Sequence, residues 1–355
     1  MTTIRDVARE AHVSTATVSR VINGSAPVND ETRFSVLGAI ERLGYRPNGV
    51  ARGLSTKKTK TIGLIISDIT NPFFPEVARG VEDVLSVYKY NVILCNTDSQ
   101  PEKEAAYIRL LLEKGVDGII FASVRTDKSD LSDLERRGNP WVLAGRALPG
   151  IDRDCVTVDN VLGAYQATQH LLQLGHRRIG FVSGPFHVSA SMERFTGFRQ
   201  AAANHGLNVD ELPVIEGDFR QAGGYAAAVR MLGLQPRPTA LFVANDQMAI
   251  GALEAAHDLG VQVPEEMAVV GFDDIPTASL HTIQLTTVAQ PKYEIGAAAT
   301  RMLLDKIDRA SVDGCRSLSS AKVVLTPKLQ IRQTCGASLI RLGANAGNGS
   351  QPYSI

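Results

Sequence analysis

The sequence predicts an α/β protein: an all-α head followed by a two-lobed core of parallel sheets. Three observations carry this. From Thr61 onward, short near-continuous apolar runs alternate with stretches of helical period, as strands buried on both faces do between helices. The alternation restarts after Asp159 and runs through a second time. Ahead of it, the chain to Arg46 shows only helical periodicity, punctuated by residues that cap helices.

The head opens with Thr3 and Asp6 at capping-box spacing, and Ile4, Val7, Ala8 and Ala11 then share one helical face. His12 and Val13 form a tight turn, and Ser14 can cap a second helix. In that helix Val18, Val21 and Ile22 point inward. Thr15, Ala16, Thr17, Ser19 and Arg20 make an outer face of small or hydrogen-bonding residues. Such a face suits entry into a DNA major groove, although an ordinary amphipathic helix pair has the same pattern. Asn29 can cap a third helix, with Val36, Leu37, Ile40 and Leu43 inward and a stop at Gly44 and Pro47.

In the core, Thr61–Ile66, Asn91–Cys95, Gly118–Phe121 and Trp141–Ala144 read as strands, with helices near Phe74–Tyr88, Glu102–Glu113 and Asp130–Arg136. The second set has strands at Arg178–Val182, Leu212–Ile215, Ala240–Val243 and Ala268–Val270. Its helices fall near Leu162–Leu174, Met192–Asn204, Gly223–Leu232 and Gln247–Leu259. From Cys335 the chain is rich in Gly, Asn and Ser, the composition of a disordered tail.

The chain has 355 residues, 44% of them hydrophobic and 21% charged, so it is globular and long enough for two or three domains. No apolar run is long enough to span a membrane, and the absence of a signal segment predicts a cytoplasmic protein. Cys95, Cys155, Cys315 and Cys335 are scattered without metal-ligand spacing, so reduced thiols are expected and neither a metal nor a cofactor is called for. The net charge of zero hides an asymmetry. Up to Lys60, ten cations face five acids, which suits a polyanionic partner docked at one end.

Beyond the helix pair, Val21-Ile22-Asn23-Gly24, Gly44-Tyr45-Arg46-Pro47-Asn48 and Ala51-Arg52-Gly53-Leu54 resemble the lactose/galactose-repressor family of bacterial transcription regulators. The resemblance continues to about Gln333. It implies a helix-turn-helix headpiece over residues 1–46 and a hinge helix and linker over 47–60. An effector-binding and dimerisation core over 61–335 and a tail over 336–355 would follow. It also implies that Thr15, Ala16 and Arg20 meet base edges, while Ser14, Thr17, Ser19 and Asn23 hold phosphates. Ala51 and Leu54 would enter the minor groove, Leu54 as the apolar wedge. Gly49 and Gly53 each cost about 1 kcal/mol in a helix interior, so the hinge is expected to fold only on DNA. A homodimer on a pseudo-palindromic operator is the implied assembly. Without a terminal leucine heptad, a dimer is expected rather than a tetramer.

The family's core is related to periplasmic sugar-binding proteins, with two lobes around a cleft. The first lobe is expected to hold residues 61–160 and 291–320. The second would hold 161–290 and 321–335, including a final strand near Val323–Leu325. Ligands of open α/β sheets sit beyond the carboxyl ends of the strands. The residues there, Asn71, Phe73, Phe74, Arg146, Arg194, Phe219, Asn245, Asp273 and Gln290, resemble the pocket of the periplasmic ribose-binding protein. Planar bidentate groups and aromatic faces suit a polyhydroxylated ring, so the implied effector is a small sugar, a pentose such as ribose or a close relative. One position departs, since Gly145 stands where that pocket has an Asp. Individually these residues have plainer roles open to them: Phe73 and Phe74 as core, Asn245 or Asp246 as a helix cap with Asp246 the expected one, the arginines in ion pairs.

Other readings remain. A sugar-metabolising enzyme with an appended DNA-binding head fits the sheet pattern. However, the chain lacks a dinucleotide fingerprint, a phosphate loop and a Gly-x-Ser-x-Gly elbow. A transport binding protein would need export, and a regulator answering to a purine or nucleoside would need only a different lining. By the resemblance, sugar sensors are released from DNA by ligand, whereas purine sensors are tightened.

Overall fold

The computed structural model describes residues 2–24, 26–46, 58–123, 128–148, 153–313 and 320–337. The chain divides into two compact units, residues 1–61 with 115–117, and residues 62–114 with 118–355. The hinge positions Ala51 and Leu54, residue Cys315, and the tail beyond Ala337 lie outside the described residues.

In the first unit, α1 (Ile4–Glu10), α2 (Thr15–Asn23) and α3 (Asp30–Leu43) enclose a small core of Val7, Ala8, Val18, Val21, Val36 and Ala39. The Thr3–Asp6 capping box forms: the Asp6 carboxylate accepts from Thr3 N at 2.9 Å, and Asp6 N donates to the Thr3 hydroxyl at 3.4 Å. Helices α2 and α3 both end on a left-handed glycine, Gly24 and Gly44. One inward assignment fails. Leu37 is 50% exposed, and Ala39 takes the core position with no exposed surface. The buried stripe runs through Val36, Ala39 or Ile40, and Leu43, and Leu37 falls about 100° away from Val36.

The second unit holds two six-stranded sheets. The strands are β1 (Thr61–Ile66), β2 (Asn91–Asn96), β3 (Gly118–Phe121), β4 (Trp141–Ala144), β5 (Cys155–Val158), β6 (Ile179–Ser183), β7 (Val214–Glu216), β8 (Ala240–Val243), β9 (Ala268–Asp273), β10 (Thr286–Ala289), β11 (Lys322–Leu325) and β12 (Lys328–Gln330). The first sheet has the order β11-β5-β4-β3-β1-β2 and the second β12-β10-β9-β8-β6-β7. Neighbours pair in parallel along β1-β3-β4-β5-β11 and along β7-β6-β8-β9-β10, whereas β12 runs antiparallel to β10. Helices α4 (Phe73–Val87), α5 (Pro101–Glu113), α6 (Lys128–Arg137) and α11 (Lys292–Asp313) accompany the first sheet; α7 (Asn160–Gln173), α8 (Ser189–Asn204), α9 (Gln221–Leu232) and α10 (Asp246–Asp258) accompany the second. The inner strands are apolar throughout because both faces are covered, and Ile62, Leu64, Ile65 and Ile66 of β1 have no exposed surface.

One lobe assignment is corrected. Val323–Leu325, expected to finish the second lobe, belongs to β11 and pairs with β5 of the first, with Val323 opposite Val156. The chain changes lobes at Thr326-Pro327 instead of near Ser320. Pro327 has no N–H to continue a ladder, so the strand ends there and β12 starts in the other sheet. The other two crossings follow Val158 and Ala289. Asp159 N donates to the Leu325 carbonyl at 3.0 Å, which ties two of the crossings together.

Helices α4 and α11 approach through glycines. A Cβ at Gly80 would lie 2.1 Å from the Tyr293 carbonyl oxygen, and one at Gly296 would lie 2.0 Å from that of Val77. Backbone cannot yield as a side-chain tip can. Gly296→Ala is therefore expected to force the helices apart and lower the unfolding free energy by about 1–3 kcal/mol. An unchanged urea midpoint would contradict this packing.

Candidate functional site

The headpiece presents one polar helix face. The Ser14 hydroxyl oxygen caps α2 by accepting from Thr17 N at 3.1 Å, and lies 2.9 Å from the Thr17 hydroxyl. Thr15, Ala16 and Arg20 are exposed in front of buried Val18 and Val21. Asn23 donates its amide to the Ser19 hydroxyl at 3.1 Å. The face is thus anchored from behind by apolar packing and ordered at both ends by side-chain hydrogen bonds.

In the core, one cavity is lined by Asn71, Phe73, Phe74, Arg146, Arg194, Phe219, Asn245, Asp273 and Gln290 together. The first lobe supplies four of these. Asn71 closes the turn after β1 by accepting from Phe73 N at 3.0 Å. Phe73 and Phe74 then open α4 with their rings edge to face, centroids 5.2 Å apart. Phe74 is buried, so the plainer reading as core fits it in part. Gly145 follows β4 at φ +82, and Arg146 comes next.

The second lobe supplies a connected polar floor. Arg194 on α8 is 5% exposed. It donates to Asn160 Oδ1 at 2.9 Å and to the Ala244 carbonyl, sits 3.8 Å from Asp273 Oδ1, and covers the Phe272 ring at 3.8 Å. Gln290, on the crossing after β10, donates to Asp273 Oδ1 at 2.6 Å. Phe219 takes a left-handed φ of +67, and its ring lies where a Cβ on Gly184 would be, 2.1 Å away. Asn245 is held by two bonds within the protein: it caps α10 by accepting from Met248 N at 3.0 Å and donates to the Phe219 carbonyl at 3.0 Å. Asp246 does not cap. Its carboxylate is buried, accepting from the Thr287 hydroxyl at 2.5 Å and from Ile275 N at 2.9 Å.

Residues that sequence reasoning did not single out complete the floor. Asn160 aims Arg194. Lys292, at the start of α11, donates to the Asp273 and Asp274 carbonyls at 2.9 and 2.7 Å and lies 3.5 Å from Glu76 of α4. A lone Lys after a proline reads as solvated, so only tertiary packing reveals its burial. His176 pairs its Nδ1 with the Thr239 hydroxyl at 3.0 Å. Cys95, Cys155 and Cys335 are buried and form no disulfide among the described residues. No helix among the described residues is long and apolar enough to cross a membrane.

Burial raises the Asp273 carboxyl to about 6, against the pull of Arg194, Gln290 and Lys292. Burial and the charge of Asp273 hold Asp246 well above the usual carboxylate range. A raised group binds its proton more tightly in the folded chain than in the unfolded one. Its stabilising contribution is therefore present at low pH and lost as pH rises through the folded value. Relative to Asp273→Asn, the wild type is expected to lose stability between about pH 4 and 6, by up to roughly 1.4 kcal/mol per pH unit. Parallel stability–pH curves for the two proteins would refute the assignment.

Two family profiles match: residues 3–48 match bacterial regulatory proteins of the lacI family, and residues 59–326 match the periplasmic binding proteins and sugar binding domain of that family. The chain is 42% identical to catabolite control protein A of Priestia megaterium, over 94% of this chain and 98% of that one. It is 40% identical to the ribose operon repressor of Halalkalibacterium halodurans, over 92% and 96%. The lac repressor dimer bound to operator and an anti-inducer superposes with a TM-score of 0.82 at 27% identity, covering 94% of this chain and 99% of that one. The chain belongs to the lacI family of bacterial regulatory proteins and is a DNA-binding transcriptional repressor with a ligand-binding core.

Proposed function

We propose that the protein acts as a homodimer on a pseudo-palindromic operator, and that a small polyhydroxylated effector in the interlobe cavity tunes its affinity for DNA. The observation that carries the effector half is the convergence of bidentate and aromatic side chains from both lobes and a crossing on one cavity. A ligand held by both lobes favours the closed arrangement, and a change in lobe orientation is a means of moving whatever is attached to the first lobe. On the DNA side, Thr15, Ala16 and Arg20 read base edges, Arg20 pairing with guanine. Ser14, Thr17, Ser19 and Asn23 hold phosphates, and Ala51 and Leu54 enter the minor groove. No turnover of the effector is required, and the lining described holds no histidine, cysteine or lysine.

The test is operator selection from a random duplex pool, followed by anisotropy titrations with the intact protein. Arg20→Ala is expected to weaken binding by about 1–3 kcal/mol and to relax one base position. Unaltered affinity and preference would remove Arg20 from the readout. Failure to select any sequence would remove the operator reading as a whole.

A further inference from the structure

The two arginines of the cavity differ in their partners. Arg194 is committed on every side: Asn160, the Ala244 carbonyl, Asp273 and the Phe272 face. Arg146 lines the same cavity, yet among the described residues no ion pair within 4.0 Å and no hydrogen bond is found for it. We propose that the effector is an anionic polyol, a sugar phosphate or a sugar acid, whose negative group pairs with the Arg146 guanidinium. This rests on the cavity being the effector site and names the ligand class that site selects.

The charge of the lining supports it. Of the lining side chains, Arg146 and Arg194 are cationic and Asp273 is the one carboxylate; Asp273 is already held by Gln290 and Arg194. One positive charge is left without a contact partner. Glu104 and Glu193 attract Arg146 from beyond ion-pair distance, and Arg194 repels it. Glu193 is itself engaged by the Asn160 amide at 2.7 Å. Arg146 is half-buried; desolvation is the dominant influence on it and lowers its guanidinium to about 10, so it remains a cation at neutral pH.

The residue that could have supplied an anion is missing. Gly145 precedes Arg146 at a left-handed φ of +82, and a Cβ there would meet nothing nearer than the Phe73 ring at 3.8 Å. A Cβ at Gly145 therefore fits against the Phe73 ring, at the position where the ribose-type pocket places a carboxylate. A hydroxyl can accept a hydrogen bond from Arg146 but cannot neutralise it. A phosphate or carboxylate does both, and matches the planar fork bidentately.

The test is calorimetry on the full-length protein with ribose, ribose 5-phosphate, gluconate and glucuronate. At least one anion is expected to bind tenfold or more tightly than ribose; whether it is the phosphate or an acid identifies the class. Arg146→Gln is expected to weaken the preferred anion at least tenfold more than it weakens ribose, so that the preference is lost. Gly145→Asp, which returns a carboxylate to the site, is expected to turn the preference towards ribose; Gly145→Asn carries the same backbone strain without the charge and should not. Ribose binding as tightly as every anion overturns the proposal and leaves the cavity reading intact. Arg146→Gln weakening ribose and the anions by one common factor also overturns it. If no polyol binds, the cavity reading falls and takes this inference with it.

Discussion

Replacing Arg194 by Leu is expected to abolish polyol binding and to lower the unfolding free energy by about 3–5 kcal/mol, the usual cost of removing one partner of a buried charge pair. The guanidinium organises groups that cannot reach water without it. Asp273 is 4% exposed and Asn160 1%. The Ala244 carbonyl would lose its donor, and the Phe272 ring would lose the cation on its face. Leucine fills part of the volume, so the loss is mainly electrostatic. The deficit should shrink as pH falls towards about 6, because Asp273, raised to about 6 with Arg194 beside it, binds its proton at higher pH once that counter-charge is gone. A double-mutant cycle with Asp273→Asn isolates the coupling, since the double variant should be more stable than the sum of the two single losses predicts. An Arg194→Leu variant with the wild-type urea midpoint, or one that still binds the same polyol, would remove Arg194 from the centre of the site.

Much of this architecture was legible along the chain, for identifiable reasons. Strands such as β1 and β8 lie between helix layers, so they read as unbroken apolar runs. The lining was legible because open α/β sheets place ligands beyond strand carboxyl ends, where Asn71, Arg146, Phe219 and Asp273 stand. Three features were not. β5 is a four-residue strand with a polar Thr157 that reads as a connection. β11 is an exposed edge strand whose pattern does not say which sheet it joins, and pairing with β5 places it in the first lobe. At the start of α10, adjacent polar residues exchange the roles that propensity suggests: Asn245 caps and Asp246 is buried, because the hydroxyl of Thr287 arrives from β10 to meet it. Each miss concerns a partner distant in sequence, which periodicity does not encode.

Lys292→Met is expected to lower stability by about 2–5 kcal/mol and, more tellingly, to separate effector binding from operator affinity. The amine is 5% exposed and stands on the crossing between lobes. Two of its bonds go to the carbonyls of Asp273 and Asp274, in the second lobe, at residues held in left-handed backbone with φ +124 and +56. Its charge faces Glu76 of α4, in the first lobe, one turn beyond Phe73. One cation therefore joins the loop that grips the cavity carboxylate to the helix that carries the cavity aromatics. The stability loss comes from the Asp274 carbonyl, left without its donor at about 1–3 kcal/mol, and from the Asp273 carbonyl, left with only the 3.4 Å bond from Gln290 N. The Glu76 carboxylate is 40% exposed, and such a pair adds only about 0–1 kcal/mol. That difference supplies the control. Glu76→Gln should stay within about 1 kcal/mol of wild-type stability while cutting only the link to α4. If ligand-driven lobe movement is transmitted through this cation, both variants should compress the ratio of operator affinities with and without polyol. Unmodified allosteric proteins commonly show ratios of about 5–150-fold, and here the value should fall towards one. Lys292→Arg, which keeps charge and donors, should retain most of it. Wild-type ratios in both the Lys292→Met and the Glu76→Gln variants, with polyol still bound, would show that the lobes communicate by another route.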